Sequence, residues 1–470
     1  MTTAITIGMI IIYVAIMMGI GVYTARQTRS VSDFVLGSHS VGSWLTAFAY
    51  GTSYFSAVVF IGYAGQFGWT YGVSAAWVGI GNALLGSLLA WIVLGRRTRI
   101  MTQSLGAKTM PEYFEKRWNS KGLKIAAALI VFVFLIPYTA SVYNGLSRLF
   151  NMAFQIESEG AYKIIIIVMA LLTAIYVILG GYAATAINDF IQGIVMLIGI
   201  AAVVICAIQN QGGLTSALAA LGEIEVNGKT NTLNSVFGPD PLNLLGVVIL
   251  TSLGTWGLPQ MIHKFYAIKS ENDIKKGAVI STVFALIVAG GSYLLGGFDR
   301  LFCTLTEDGS GKTVISTLSN GKPDFDAMIP SLLHTALPDI LIGLVVVLVL
   351  SASMSTLSSL VLTSSSTLTI DLIKPNLKKC SDKKEMLIMR VLIAVFLVIS
   401  VLLAFNKNAS ISTLMSYSWG ALAGAFLGPF MYGLFSRKIT KPAVWTSFIL
   451  GIGLTLVHMF LFGFGWNPEI

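Results

Sequence analysis

Ser351-Ala352-Ser353-Met354-Ser355-Thr356-Leu357-Ser358-Ser359 sets six hydroxyl side chains into nine residues, directly after the apolar run 340–350. That run carries the cluster into a membrane helix. Lipid offers an oxygen no partner there, and polar groups at that depth turn inward to a task. A hard cation such as Na⁺ is coordinated by oxygens, both hydroxyl and carbonyl, near the bilayer midplane of transporters. Serine and threonine also bond back to the carbonyl four residues earlier and let helices pack closely. Six hydroxyls in succession leave both readings open.

Around this cluster the chain reads as membrane protein throughout. Of 470 residues, 55% are hydrophobic and 11% charged, against about 25% charged in soluble domains. Twelve apolar runs are long enough to cross the hydrocarbon core of roughly 30 Å: about 4–23, 43–64, 73–95, 124–147, 161–179, 186–207, 241–262, 277–298, 338–370, 387–406, 411–435 and 442–463. No soluble domain fits between them, so residues 1–470 form a single membrane domain. The formal net charge of +9 is topological. Basic residues gather in alternate loops, at Arg26 and Arg29, 96–124, Lys264–Lys269–Lys275–Lys276, 374–390 and 437–441, leaving Arg148, Lys163, Lys229, Arg300, Lys312, Lys322 and Lys407 opposite. The positive-inside bias then puts both termini outside the cytoplasm, in a cell (inner or plasma) membrane. The lipid bilayer, not nucleic acid, is the expected partner, and the first helix reads as an anchor, not a cleaved signal. Cys206, Cys303 and Cys380 have no redox or metal spacing, and His39, His263, His334 and His458 are scattered. With no nucleophile elbow or phosphate loop, the sequence points to no enzyme.

Two spans look broken. Tyr50-Gly51-Thr52-Ser53-Tyr54-Phe55-Ser56 interrupts the second, and Gly254-Thr255-Trp256-Gly257-Leu258-Pro259 the seventh. Glycine and proline free backbone groups that something other than lipid must satisfy. A matched pair of interrupted helices points to a transporter with inverted repeats. The breaks lie five helices apart, an odd number, so units 43–207 and 241–435 would have opposite topology. Spans 4–23 and 442–463 are then additions at either end.

Several separated segments resemble the sodium:solute symporters, the family of bacterial proline, pantothenate, sialic acid and sugar symporters. They are Tyr54-Phe55-Ser56 to Phe60-Ile61-Gly62, Met110-Pro111-Glu112-Tyr113-Phe114, Gly180-Gly181-Tyr182 with Asp189-Phe190-Ile191-Gln192, Gly257-Leu258-Pro259-Gln260 to Phe265-Tyr266-Ala267, Ser355-Thr356-Leu357-Ser358, Thr369-Ile370-Asp371-Leu372, and Trp419 with Gly428-Pro429. The resemblance implies an all-α integral membrane protein of the leucine-transporter fold, a five-plus-five inverted repeat within about twelve helices. It also implies a first Na⁺ site made by the carbonyls of Thr52, Phe55 and Ala352 with the hydroxyls of Ser355 and Thr356. Asp189, Ser358 and Ser359 match a second Na⁺ site found in sialic acid transporters of the family, although Asp189 also reads as an N-cap of the helix after it. No Lys, Arg or His lies between Asp189 and Cys206, which favours sodium over proton coupling.

The solute would sit beside the breaks, near Tyr54, Ser56, Val59, Trp256 and Gln260, with Tyr138 and Tyr143 from the fourth span. Val59 and Ala76 stand where sugar carriers of the family place polar groups. The span 125–145 contains no arginine for a sialic-acid-like carboxylate, and Tyr54 replaces an aspartate of proline symporters. A small amino acid such as proline, or a monocarboxylate, is the expected solute, carried with Na⁺ by alternating access in a monomeric transport unit. A sugar or sialic acid is the alternative within the family. The rivals outside it are a major-facilitator transporter, which outward termini disfavour, and a channel or membrane sensor. Residues 325–333 read as a short helix over the entrance, and Arg148 as an interfacial anchor.

Overall fold

A computed structural model describes the chain except for residues 1, 27, 29, 38–40, 156, 157, 308, 310, 319, 320, 378–380, 406–409 and 463–470. Arg29, His39, Lys378, Lys379, Cys380, Lys407 and the end of the expected span 442–463 lie outside the described residues. Each of the twelve apolar runs is helical over most of its described length. The helices used below are α1 (Thr2–Ala25), α2 (Ser43–Tyr54), α3 (Ala64–Tyr71), α4 (Ala76–Gly81), α5 (Lys121–Phe154), α6 (Glu159–Asn210), α7 (Pro241–Gly254), α8 (Pro259–Ala267), α9 (Glu271–Gly296), α10 (Met328–Ala336), α11 (Asp339–Thr367), α12 (Asp382–Ala404), α13 (Ile411–Phe435) and α14 (Lys441–Phe462). Among the described residues, eight helices are separately long and apolar enough to cross a membrane, and a ninth span is the pair α7–α8, bent by 53°. Of the remaining expected crossings, one is the 25-residue helix α13 and two come from runs that each hold more than one span. Residues 58–105 continue from the end of the first broken helix through α4, and α6 carries both expected spans 161–179 and 186–207.

Glycine explains the reversal within α6. Gly181 has φ 54° and ψ −144°, a backbone that L side chains rarely adopt, and a Cβ there would lie 2.6 Å from the Phe34 carbonyl oxygen. Both interruptions foreseen from the sequence are present. The helical course of α2 stops at Tyr54; Phe55 is extended (φ −85°, ψ 115°), and a π-helical stretch, Val58–Tyr63, resumes the span. After α7 the chain makes one 3₁₀ turn, Thr255–Gly257. Leu258 is extended as residues before proline prefer, and Pro259 opens α8 without needing an N–H partner. A Cβ on Gly257 would approach the Ala423 Cα to 2.9 Å, so this break packs directly on α13.

The core lies where α2, α5, α6, α9 and α11 meet, with α1 against α6 and α11, and α14 against α13. The segment foreseen over the entrance forms the 3₁₀ turn Phe325–Ala327 followed by α10.

Candidate functional site

The end of α2 meets the middle of α11 through five oxygen atoms. Ser355 Oγ lies 3.2 Å from the Thr52 carbonyl oxygen and 3.0 Å from that of Ala352. Thr356 Oγ1 lies 3.4 Å from the carbonyl oxygens of Thr52 and Phe55, and 3.1 Å from that of Ala352. These are the five residues expected to hold a first ion, and all are buried. Local geometry explains how they come together. Carbonyls in the last turn of a helix have no intrahelical partner, and stopping α2 at Tyr54 turns such carbonyls toward α11. Ser355 and Thr356 are about 100° apart around α11, so they flank one point. Back-bonding to the helix's own carbonyl explains the contacts to Ala352 but not those reaching across to α2. Each hydroxyl also has a single proton. Two protons cannot satisfy five oxygen–oxygen contacts, whereas one cation among them can. The cage fits a monovalent ion, since its oxygens are all neutral.

Of the residues expected at a second ion, Asp189 and Ser359 meet at one buried group, while Ser358 is engaged within its own helix. Ser358 Oγ donates to the Ser355 carbonyl of its own helix at 2.9 Å. Asp189 is no helix cap, because it lies fully buried within the continuous second part of α6. Its carboxylate faces Lys264, whose Nζ is 3.6 Å from Asp189 Oδ2. The same ammonium donates to Ser359 Oγ at 3.0 Å, and Ser359 Oγ lies 2.8 Å from Ser53 Oγ on α2. Lys264 thus corrects the loop reading of residues 264–276: its side chain is 3% exposed and projects from α8 into the protein. The cation beside Asp189 belongs to the chain itself.

Among the residues expected to meet the solute, Tyr54 and Tyr138 converge on Trp419 of α13, at ring-centroid distances of 5.8 and 6.2 Å. Trp256 is fixed by its Nε1, which donates to the Leu85 carbonyl at 3.1 Å. Ser56 Oγ accepts from the Val58 N–H at 3.2 Å, a cap at the break. Val59 and Tyr143 are fully buried. Gln260 is buried with neither amide atom hydrogen-bonded. Tyr54 also lines a cavity of about 10 Å³ with Tyr50, Asn82, Ser87, Thr255 and Met261, enough for a single water. Beyond Trp419 lies a cavity of about 560 Å³, walled largely by apolar groups of α7, α13 and α14, within the size range of small-molecule sites.

A family model described as the sodium:solute symporter family matches residues 34–451. The chain belongs to the sodium:solute symporter family. Among curated relatives, the sodium/proline symporters of Staphylococcus aureus strains JH9 and USA300 are each 30% identical over 459 residues, covering 96% of this chain and 85% of theirs. A Na⁺-coupled sialic acid symporter solved in a substrate-bound outward-open state shares 17% identity with a TM-score of 0.74, covering 98% of this chain and 93% of that one. That likeness establishes the fold, the leucine-transporter type with its five-plus-five repeat. The protein is a multi-pass membrane symporter, and Na⁺ is its coupling ion.

Two residues of the symporter's interior were missed by the sequence reading. Asn82 Oδ1 accepts from Thr251 Oγ1 at 3.2 Å and Ser252 Oγ at 3.1 Å; an asparagine midway along the apolar run 73–95 was the available signal. Lys264 follows the Pro259 break by less than two turns, a position still inside the span. Arg148, expected as an interfacial anchor, pairs with Asp324 at 3.0 Å beside α10.

Proposed function

We propose that this symporter imports a small amino acid, proline or a close relative, or else a small monocarboxylate, by binding Na⁺ at Thr52, Phe55, Ala352, Ser355 and Thr356. The observation that carries this is the excess of oxygen contacts over protons where α2 stops against α11. An ion there bridges a broken helix to a continuous one, so its arrival steadies the backbone whose next residues, Tyr54 to Ser56, face the solute. Proline is supported by the names of the Staphylococcus aureus relatives and by the aromatic trio Tyr54, Tyr138 and Trp419, which suits a compact, partly apolar solute. The absence of arginine along residues 125–145 argues against a bulky carboxylated sugar. Both termini lie outside the cytoplasm in this reading, and the bundle rocks about the central site as sodium runs down its gradient.

The test is [³H]proline uptake into vesicles as a function of sodium. Thr356→Ala and Ser355→Ala are each expected to raise the sodium concentration for half-maximal uptake by about tenfold, the loss of one ligand worth about 1.4 kcal/mol. A sodium dependence unchanged in both variants would remove the ion from this place. Vesicles that take up small monocarboxylates but no proline would redirect the solute assignment and leave the ion site standing.

A further inference from the structure

We infer that the Lys264 ammonium serves as a built-in cation, occupying the place beside Asp189 and Ser359 that a second sodium ion would take, so that the chain binds one Na⁺. This rests on the first-site reading above only for the ion it counts as the first. The argument begins with Asp189. A fully buried carboxylate requires a countercharge or must lose its own charge. Within 3.6 Å the structure supplies one, Lys264 Nζ, itself buried. The ammonium donates at 3.0 Å to Ser359 Oγ, which lies 2.8 Å from Ser53 Oγ. It also stands 5.3 Å from the centre of the Tyr182 ring, within cation–π range. One carboxylate, one hydroxyl oxygen and an aromatic face surround a single positive charge, and Ser53 stands behind that hydroxyl.

The placement links four elements. Lys264 comes from α8, just past the second break; Ser53 lies just before the first break; Ser359 is one turn beyond Ser355 on α11; Asp189 is on α6. A sodium ion at the same oxygens would join α6 and α11, and α2 through Ser53, as the ammonium does, but would leave α8 out. With the lysine present, a second ion meets like charge a few ångströms away in a low-dielectric interior, and that repulsion excludes it. Lys264 therefore joins the two broken helices by a charge that never dissociates into the cytoplasm. The transport cycle is then driven by a single sodium.

Counting bound ²²Na⁺ on the purified full-length chain, without solute, tests the idea. Wild type is expected to bind one ion per chain, as is Lys264→Arg, which retains the charge. Lys264→Ala is expected to bind one more than wild type, and Lys264→Ala/Asp189→Asn to lose that extra ion. At a sodium concentration that just fills the first site of wild type, adding Thr356→Ala lowers the count by the same amount in wild type and Lys264→Ala, so failure of the first site is read separately from failure of this inference. Two ions on wild type overturn it, even should Lys264→Ala fail to fold. So does a folded Lys264→Ala chain that gains no ion, or gains one that survives Asp189→Asn.

Discussion

Asp326 shows how one side chain sets the pH response of the segment that caps the bundle. It lies between α9 and α11, 4% exposed, and its Oδ2 accepts from the Ile411 N–H at 3.0 Å. Burial pushes its carboxyl up to about 6, against the pull of nearby Arg148 and of the Ile411 N–H, and the charge of Asp324 adds to the rise. The docked segment thus binds a proton more tightly than the exposed one, whose carboxyl has an ordinary value near 3.9. Docking is then strongest below about pH 4 and weakens as pH rises through about 6, by at most about 3 kcal/mol. Asp326→Asn retains an acceptor for Ile411 and has no charge to bury. The variant should melt a few degrees above wild type at pH 7.5, with the gap shrinking at pH 5; thermal unfolding at both values checks this, and a gap that widens toward acid contradicts it. Legibility at this scale varies in an instructive way. Ser355 and Thr356 stood out because six hydroxyls crowd nine residues of an apolar stretch. Lys264 could not, because its neighbours Lys269, Lys275 and Lys276 made it look like one more charge of a basic loop. The depth of a side chain near a helix end depends on the tilt of that helix, which no local pattern records.

Elements were easier to read than their joints. The break in α2 and the break between α7 and α8 follow from glycines, a proline and hydroxyls set into apolar runs, because each frees backbone groups that lipid cannot satisfy. The 53° bend that carries Lys264 inward depends on packing against α13 at Gly257 and was not visible. Packing also governs how the capping segment sits. A Cβ on Gly65, in α3, would fall 2.6 Å from the Phe325 carbonyl oxygen, and backbone cannot yield as a flexible side chain can. Gly65→Ala should therefore lift the Phe325–Ala327 turn and α10 from the first broken helix. Hydrogen exchange of amides 325–336 is expected to quicken by about tenfold or more, as in local opening of a weakened unit. Gly290→Ala, where a Cβ meets nothing within 4 Å, is the matched control and should leave exchange alone. Equal rates in the two variants would mean that the segment is not held by this contact.

For the molecule as a whole, the question is whether ion and solute communicate through the first broken helix. The carbonyls of Thr52 and Phe55 face Ser355 and Thr356, while Tyr54, between them in sequence, turns its ring to Trp419. In the proposed function, alternating carbonyl and side-chain directions in one unwound stretch put both ligands on the same few dihedral angles. Fixing those angles for sodium lowers the ordering that the solute must impose, and by reciprocity the solute must raise sodium affinity by the same factor. Two ligands that bind only the folded state add their effects through mass action, each contributing about 2.7 kcal/mol at a hundred times its dissociation constant. Proline should then raise the melting temperature by several degrees in sodium and by far less in potassium at equal ionic strength. Thr356→Ala should shrink that difference at sodium concentrations that do not saturate the variant, because it weakens the ion that bridges α2 and α11, yet leave whatever shift proline produces in potassium. Proline shifts of equal size in both salts for the wild-type chain would show that the two ligands are bound independently, and the unwound segment would then be a hinge without being the coupling element.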